Sequence, residues 1–441
     1  MQNRKKIQNA WAIYDWANSV YNLVITSTIF PAYYVAITSS NNQEQSYVTF
    51  FGYKFINTAL QNYALAIVFF IVAISSPILS SIADYRGNKK AFMRFFVLIG
   101  SVACSMLFFF TPDRIEWGMI FFALAALGFW SSLVFYNSYL PDIATPEERD
   151  GLSAKGFAMG YIGSVLLQLI CFVVILKPDL FGLDPTNKTL APRISFLLVG
   201  CWWLGFSQIT FKALPSNTEQ NKQLKKHILI NGFHELKQVW NQAKQIPALK
   251  RYLFSFFLFS VGVQTVMLVA ASFSKKEIFP KPEDEPKLIM TIILIQLVAL
   301  IGAILMSRLS KWIGNIYTLV VAVFIWIGIC LWGYYIKSQT EFYILAACVG
   351  LVMGGIQTIG RSTYSKLIPP TDDTTSYFSF YDVTEKIALT IGLFLFARNE
   401  ELTGSIRNSI LILMLFFIAS FFVLLYTKRV ITKDKYASLF H

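Results

Sequence analysis

Histidine is almost missing from this chain, with three in 441 residues. His227 and His234 fall in a central polar stretch and His441 in the C-terminal tail, so no imidazole lies in an apolar segment to carry a proton or hold a metal. Cysteine is also scarce. Cys104, Cys171, Cys201, Cys330 and Cys348 all fall in apolar runs without paired spacing, which gives neither a disulfide frame nor a metal site. The third shortage is charge. Only 14% of residues are charged against 55% hydrophobic, far more apolar side chain than one water-soluble core requires. Short strands of alternating apolar and polar residues, the mark of a membrane barrel, are missing as well.

What the chain has instead is long apolar runs. They lie near residues 10–36, 59–83, 91–110, 116–140, 153–176 and 192–213, then 250–274, 287–307, 314–336, 341–364, 376–397 and 405–427. Each approaches or exceeds the roughly 20 residues that cross a bilayer as a helix. The expectation is an all-α integral membrane protein with twelve transmembrane helices. Arg4, Lys5 and Lys6 precede the first run as in a signal peptide, but that run is too long, contains Asp15 and lacks a small-residue cleavage site. It is expected to stay as a membrane helix.

Basic residues set the orientation, because loops rich in lysine and arginine stay in the cytoplasm. With the N-terminus inside, 25 of the 38 basic residues fall on the inner side and 12 on the outer, while Lys386 lies within a helix. Both termini are then cytoplasmic, in the cell (inner) membrane. The formal charge of +13 is thereby a topology signal, and a nucleic-acid partner, which needs a clustered soluble basic face, is not expected.

The chain repeats itself. The turn Ala83-Asp84-Tyr85-Arg86-Gly87-Asn88-Lys89-Lys90 has a fainter copy, Lys311-Trp312-Ile313-Gly314-Asn315, 227 residues on. Ile143-Ala144-Thr145-Pro146-Glu147-Glu148 matches Ile368-Pro369-Pro370-Thr371-Asp372-Asp373 at an offset of 225. In both, a threonine followed by acids opens a helix, with Thr145, Pro146 and Glu148 suited to N-cap, N1 and N3. The domains expected are a six-helix bundle over 1–213, a cytoplasmic linker over 214–249 and a second six-helix bundle over 250–441. Within the linker, Leu229, Phe233, Leu236, Trp240 and Ala243 recur at helical spacing, as in an amphipathic surface helix.

The turn Ser80-Ser81-Ile82-Ala83-Asp84-Tyr85-Arg86-Gly87-Asn88-Lys89-Lys90 resembles the loop signature between helices two and three of the major facilitator superfamily. Asp84, Ala83, Gly87 and Lys89 fit it, whereas Ser80 replaces a usual glycine and Tyr85 and Asn88 replace basic residues. Trp11-Ala12-Ile13-Tyr14-Asp15-Trp16-Ala17-Asn18-Ser19, Tyr139-Leu140-Pro141-Asp142-Ile143-Ala144-Thr145-Pro146-Glu147-Glu148-Arg149 and Gly354-Gly355-Ile356-Gln357-Thr358-Ile359-Gly360-Arg361-Ser362 look like the vacuole effluxer-like branch. The resemblance runs from helix one to helix eleven. It implies the major facilitator fold of two pseudo-symmetric bundles and an efflux-type secondary transporter, with amino acids as substrates of the eukaryotic relatives.

Candidate residues follow from polarity inside apolar runs, where charges are rare and face a cavity or a partner. Asp382 and Lys386 stand at i and i+4 on the eleventh helix, and Glu385 is expected to point about 100° away. Either Asp382 and Lys386 neutralise each other so that the helix can pack, or Lys386 binds a substrate carboxylate or Glu385 cycles a proton. Trp11, Asp15, Asn18 and Asn22 form one polar stripe on helix one. The resemblance implies that helices one, four, seven and ten line the cavity, which adds Asn137, Gln264, Gln357 and Arg361. Each is a substrate ligand or an interhelical hydrogen bond worth about 0.6–2 kcal/mol. Asp84, Arg86, Gly87 and Lys89 form a gating turn, or a solvated turn serving topology alone. In relatives the residue equivalent to Asp84 holds the start of helix eleven. Glycines 156, 160 and 163, and 350 and 354, permit close helix approach.

A membrane enzyme would need clustered nucleophiles or metal ligands, and a sensor a soluble domain. Neither appears in the sequence, so a transporter of a small polar solute is expected, acting as a monomer without cofactor or metal, with protons as the candidate coupling ion.

Overall fold

A computed structural model describes residues 2–39, 47–86, 88–215, 228–279 and 284–431. Gly87, His227, His441 and most of the linker's first half lie outside the described residues.

The chain opens with α1 (Gln2–Val20), a π-helical segment (Tyr21–Thr28) and α2 (Ile29–Thr38), which together make the first membrane crossing. A hairpin of β1 (Tyr47–Phe50) and β2 (Tyr53–Ile56) precedes α3 (Asn57–Arg86), α4 (Lys89–Met106), α5 (Ile115–Ser138), α6 (Leu140–Ile143), α7 (Pro146–Leu176) and α8 (Leu190–Ala213). After the linker helix α9 (Ile228–Gln245) come α10 (Pro247–Glu277), α11 (Glu285–Ile313), α12 (Asn315–Tyr335), α13 (Gln339–Leu367), α14 (Thr374–Thr403) and α15 (Ile406–Ile431). Among the described residues, eleven helical stretches are long and apolar enough to cross a membrane. The twelfth is α14, whose apolar length is broken by Asp382, Glu385 and Lys386.

Local chemistry sets several boundaries as expected. Glu148 Oε2 accepts from the Thr145 backbone N–H at 3.2 Å, closing one arm of a capping box before α7. Ser338 and Glu341 complete both arms at the start of α13. The second turn copy depends on Gly314, whose φ of +82° between α11 and α12 lies where side chains are disfavoured. The hairpin was not expected. Its turn places Phe51 (φ +47°) and Gly52 (φ +83°) both at positive φ, a two-residue geometry usually announced by Asn-Gly rather than Phe-Gly.

The chain divides into two compact units, one of Met1–Tyr136 with Ile162–Ile228 and the other of Asn137–Tyr161 with Leu229–His441. In the first, glycines bring helices together. An added Cβ at Gly128 would lie 2.5 Å from Gly100, and one at Gly163 would lie 2.6 Å from the Trp16 carbonyl. The π segment forms because Ser27 and Thr28 hydroxyls donate to the carbonyls of Asn22 (2.8 Å) and Leu23 (2.7 Å), five residues back. Thr28 Oγ1 also lies 2.8 Å from the Gln168 amide on α7. A hydroxyl has one hydrogen. That hydrogen is shared between the Leu23 carbonyl and Gln168 Oε1.

In the second unit, α11 and α13 pack along the glycine stripe, where a Cβ at Gly350 or Gly354 would meet the carbonyl of Ile295 or Ala299. Gly302 meets Leu351 in the same way from the other side. The linker helix α9 lays its apolar face on this unit. Trp240 stacks on Phe380 at 5.8 Å, Tyr377 donates to Gln242 at 2.7 Å, and Val239 and Ala243 join the core. The side chains of Leu229 and Phe233 lie outside the described residues.

Gly354→Val is expected to cost about 1–3 kcal/mol or more by overpacking α13 against α11. Gly328→Ala, with nothing within 4 Å of its added Cβ, serves as the control. Replacing a helix-interior glycine there should gain about 0.5–1 kcal/mol. Thermal unfolding of the purified protein measures both, and equal melting temperatures would contradict the close approach.

Candidate functional site

The sharpest concentration of charge within an apolar segment is on α14. Lys386 Nζ donates to Asp382 Oδ1 at 3.0 Å, the expected one-turn pair, and Lys386 is only 3% exposed. Glu385 does not turn away. Its Oε2 lies 3.6 Å from the same ammonium, and its Oε1 accepts from Gln264 on α10. A glutamate side chain has the length to curl round its helix toward an adjacent cation, which Cβ directions alone do not register. Gly392 admits Thr265 and the Val261 carbonyl closely, so α10 and α14 lie near enough for this bond. The set holds two carboxylates and one ammonium. Glu385 is the most accessible of the three, and Asp382 Oδ2 is buried with no hydrogen-bond partner among the described residues.

Two turns of α13 carry a second group. Arg361, also buried, donates from Nε to Ser153 Oγ and from Nη2 to the Ser153 carbonyl, both at 3.0 Å, and from Nη1 to Asn137 Oδ1 at 3.1 Å. Its guanidinium lies 4.1 Å from the Phe157 ring centroid. Gln357, one turn earlier, accepts from Tyr161 at 2.9 Å and contacts Met267 Sδ at 3.4 Å. Asn137, Gln357 and Arg361 are thereby brought together, held by the segment Asn137–Tyr161.

In the first unit, Asp15 accepts from the Tyr136 hydroxyl at 2.7 Å, and Trp11 donates to the Tyr136 carbonyl at 2.9 Å while stacking on its ring at 4.4 Å. Asn18 is buried, with its amide nitrogen unpartnered among the described residues. Asn22 is half-buried within the π segment, where the wider turn departs from the even stripe expected of an α-helix. Of the turn residues, Asp84 is half-buried at the end of α3 and Lys89 is buried; the side chain of Arg86 and all of Gly87 lie outside the described residues.

A further set of buried charges was not expected. Asp150, 3% exposed, accepts from Lys366 Nζ (2.8 Å) and Ser310 Oγ (2.9 Å) on one oxygen and from Asn315 Nδ2 (2.7 Å) on the other. Lys366 also donates to Asn315 Oδ1 at 3.0 Å. Adjacent Arg149 donates to the carbonyls of Ser365, Ala144 and Pro141. These residues join the start of α7 to the ends of α11 and α13 and the start of α12. Two signals were present in the sequence: Asn315 belongs to the second turn copy, and Asp150 follows the capping sequence directly.

The fold matches solved transporter structures of the major facilitator superfamily. One is the crystal structure of the transporter FucP in the outward conformation, with a TM-score of 0.69, 14% identity, and coverage of 96% of this chain and 98% of that one. Among curated proteins, an uncharacterized MFS-type transporter of Bacillus subtilis, YxiO, is 31% identical over 437 residues, 98% of this chain and 97% of that protein. Autophagy-related protein 22-2 of Penicillium rubens is 23% identical over 467 aligned positions, 84% of this chain and 76% of that protein. The family model described as vacuole effluxer Atg22 like matches residues 3–433. The chain belongs to that family, a family of membrane transporters rather than enzymes.

Asp150→Asn would leave Lys366 buried without its counter-charge, at an expected cost of about 3–5 kcal/mol. Lys366→Met should cost a similar amount. The double variant should lose clearly less than the two combined, and additive losses in a thermal double-mutant cycle would show that the pair does not interact.

Proposed function

We propose that this protein exports a small polar solute by alternating access and couples that movement to protons, with amino acids the first substrate class to test. Export is supported by the effluxer family and amino acids by the resemblance of its motifs. The observation that carries the coupling is the charge count on α14. With every group ionised, Asp382, Glu385 and Lys386 sum to one negative charge inside a membrane segment, where unbalanced charge is costly. One proton on Glu385 brings the set to neutrality, and Glu385 is its most accessible member. Its other contact, Gln264, lies on α10, one of the helices expected to line the solute path. Proton loss would return the negative charge and favour rearrangement around Lys386.

The solute ligands proposed are Asn22, Gln264 and Gln357, with Arg361 released from Ser153 and Asn137 in another state of the cycle. The six-helix bundles 1–213 and 250–441 are the moving bodies proposed, in a monomer placed in the cytoplasmic membrane with both termini inside. That orientation puts the Asp150, Lys366, Asn315 and Ser310 cluster at the cytoplasmic ends of its helices, where it would act as a closing contact. The Asp84 turn is proposed as a second gating element.

The test is reconstitution into liposomes, with a panel of amino acids, small peptides and organic ions, with and without a pH gradient. Gradient-driven flux of at least one solute is expected. Glu385→Gln should reduce that flux to background while leaving solute exchange without a gradient. Undiminished coupling in Glu385→Gln would remove the proton assignment, and failure of every solute, with a lipid or protein partner found instead, would remove transport by this chain. Asp84→Asn is expected to shift the balance of inward- and outward-accessible states, read by labelling of single cysteines, and an unchanged balance would retire its gating role.

A further inference from the structure

Within the second unit, six helices surround a cavity of about 70 Å3 lined wholly by apolar side chains. Each helix contributes: Phe273 from α10, Ile295 from α11, Gly333 from α12, Ala346 from α13, Phe396 from α14 and Ile410 from α15. The glycines give an independent measure of this space. An added Cβ at Gly333 would find its nearest atoms at 3.7 Å on Leu345 and 3.8 Å on Ile410, ordinary contact distances. At Gly302, Gly350 and Gly354 of the same unit it would strike backbone carbonyls. Gly333 therefore borders open space and is not required for close helix approach.

A single water needs about 10–15 Å3 on this measure, so the cavity has room for several. It gives them nothing to bond. A stable buried water makes about two to four hydrogen bonds, and apolar cavities without such partners stay dry and take up small apolar molecules. Left empty, the lining would forgo the dispersion contacts that a densely packed core makes. Ile295 and Ile410 are half-buried, so the cavity is not fully sealed. The medium around the spanning helices is hydrocarbon.

We propose that this cavity is a binding site for an alkyl group. Its source is either the end of a bilayer lipid's acyl chain or a free small hydrocarbon, and the lining accepts both by the same chemistry. The site belongs to the second unit alone and lies on α14 beyond Lys386, at Phe396. An occupant there would fill the core of α10–α15 without touching the α14 charges.

The test uses the full chain in lipid, imaged crystallographically with two probes: xenon under pressure, and phospholipid brominated on its acyl chains. A peak between Gly333 and Ala346 is expected. Xenon alone identifies a site for free apolar molecules, while bromine, with or without xenon, identifies a lipid chain. Ala346→Leu, and separately Gly333→Val, should fill the space, erase the peak and leave the melting temperature equal or higher. The proposal is overturned if neither probe gives a peak in the unaltered protein or if the peak survives both substitutions. It is equally overturned if both substitutions lower the melting temperature, because the space would then not exist.

Discussion

The contact on which the second unit turns is the ion pair between Asp150 and Lys366. Both groups are buried, and burying an ion outside water costs several kcal/mol even after relaxation. The pair offsets that cost only because its remaining valences are used: Ser310 and Asn315 complete the carboxylate, and Asn315 returns an acceptor to the ammonium. Four helix ends must therefore meet at one point. The glycine stripe that lets α13 approach α11 brings Ser310 and Lys366 to the same place, and the turn at Gly314 aims Asn315 at both. Arg149 fixes the segment further by donating to the Ser365 carbonyl near the end of α13, a group that has no partner within the helix.

That set differs in charge from the one on α14. One carboxylate and one ammonium at Asp150 and Lys366 sum to zero, and both carboxylate oxygens are bonded, which suits a contact that holds elements in place. Two carboxylates around Lys386 do not sum to zero, and Asp382 Oδ2 is left without a partner among the described residues. An unbalanced set can change its state through a single proton, whereas a balanced set must first break. Structure and chemistry are thus assigned to different charges by counting, before any substrate is considered.

Much of this was legible along the chain. Apolar length gave the twelve crossings, the pattern at Thr145 gave the start of α7, the glycine spacing gave the approach of α11 and α13, and the interval from Asp382 to Lys386 gave their pair. All of these are local or periodic signals. The π segment escaped because it depends on where two hydroxyls, at Ser27 and Thr28, send their hydrogens. Glu385 was misplaced because Cβ direction does not fix where a long side chain ends. Asp150 escaped for a different reason: its partners stand 160 to 216 residues away, and nothing in the sequence of one helix specifies a neighbour at that distance.

The duplication makes the distribution of these charges intelligible. At the offset of 225, Asp150 corresponds to Thr375, Lys366 to Pro141 and Thr363 to Ser138. The acid of one copy is thus a hydroxyl in the other and the lysine a proline, while Thr375 Oγ1 lies 3.4 Å from Ser138 Oγ, the counterpart of Thr363. The turns show the same bias. The first carries the acid Asp84, while the second has Lys311 in its place and supplies the neutral Asn315 to the pair. Both acids, Asp84 in the turn and Asp150 at the helix start, therefore lie in the first copy. An ancestral symmetric pair of sites would place like charges in both copies and hold both with the same strength. Unequal chemistry at equivalent positions lets Asp150 and Lys366 form a buried ion pair where their counterparts, Thr375 and Pro141, cannot, so the repeat keeps its geometry without repeating its charges.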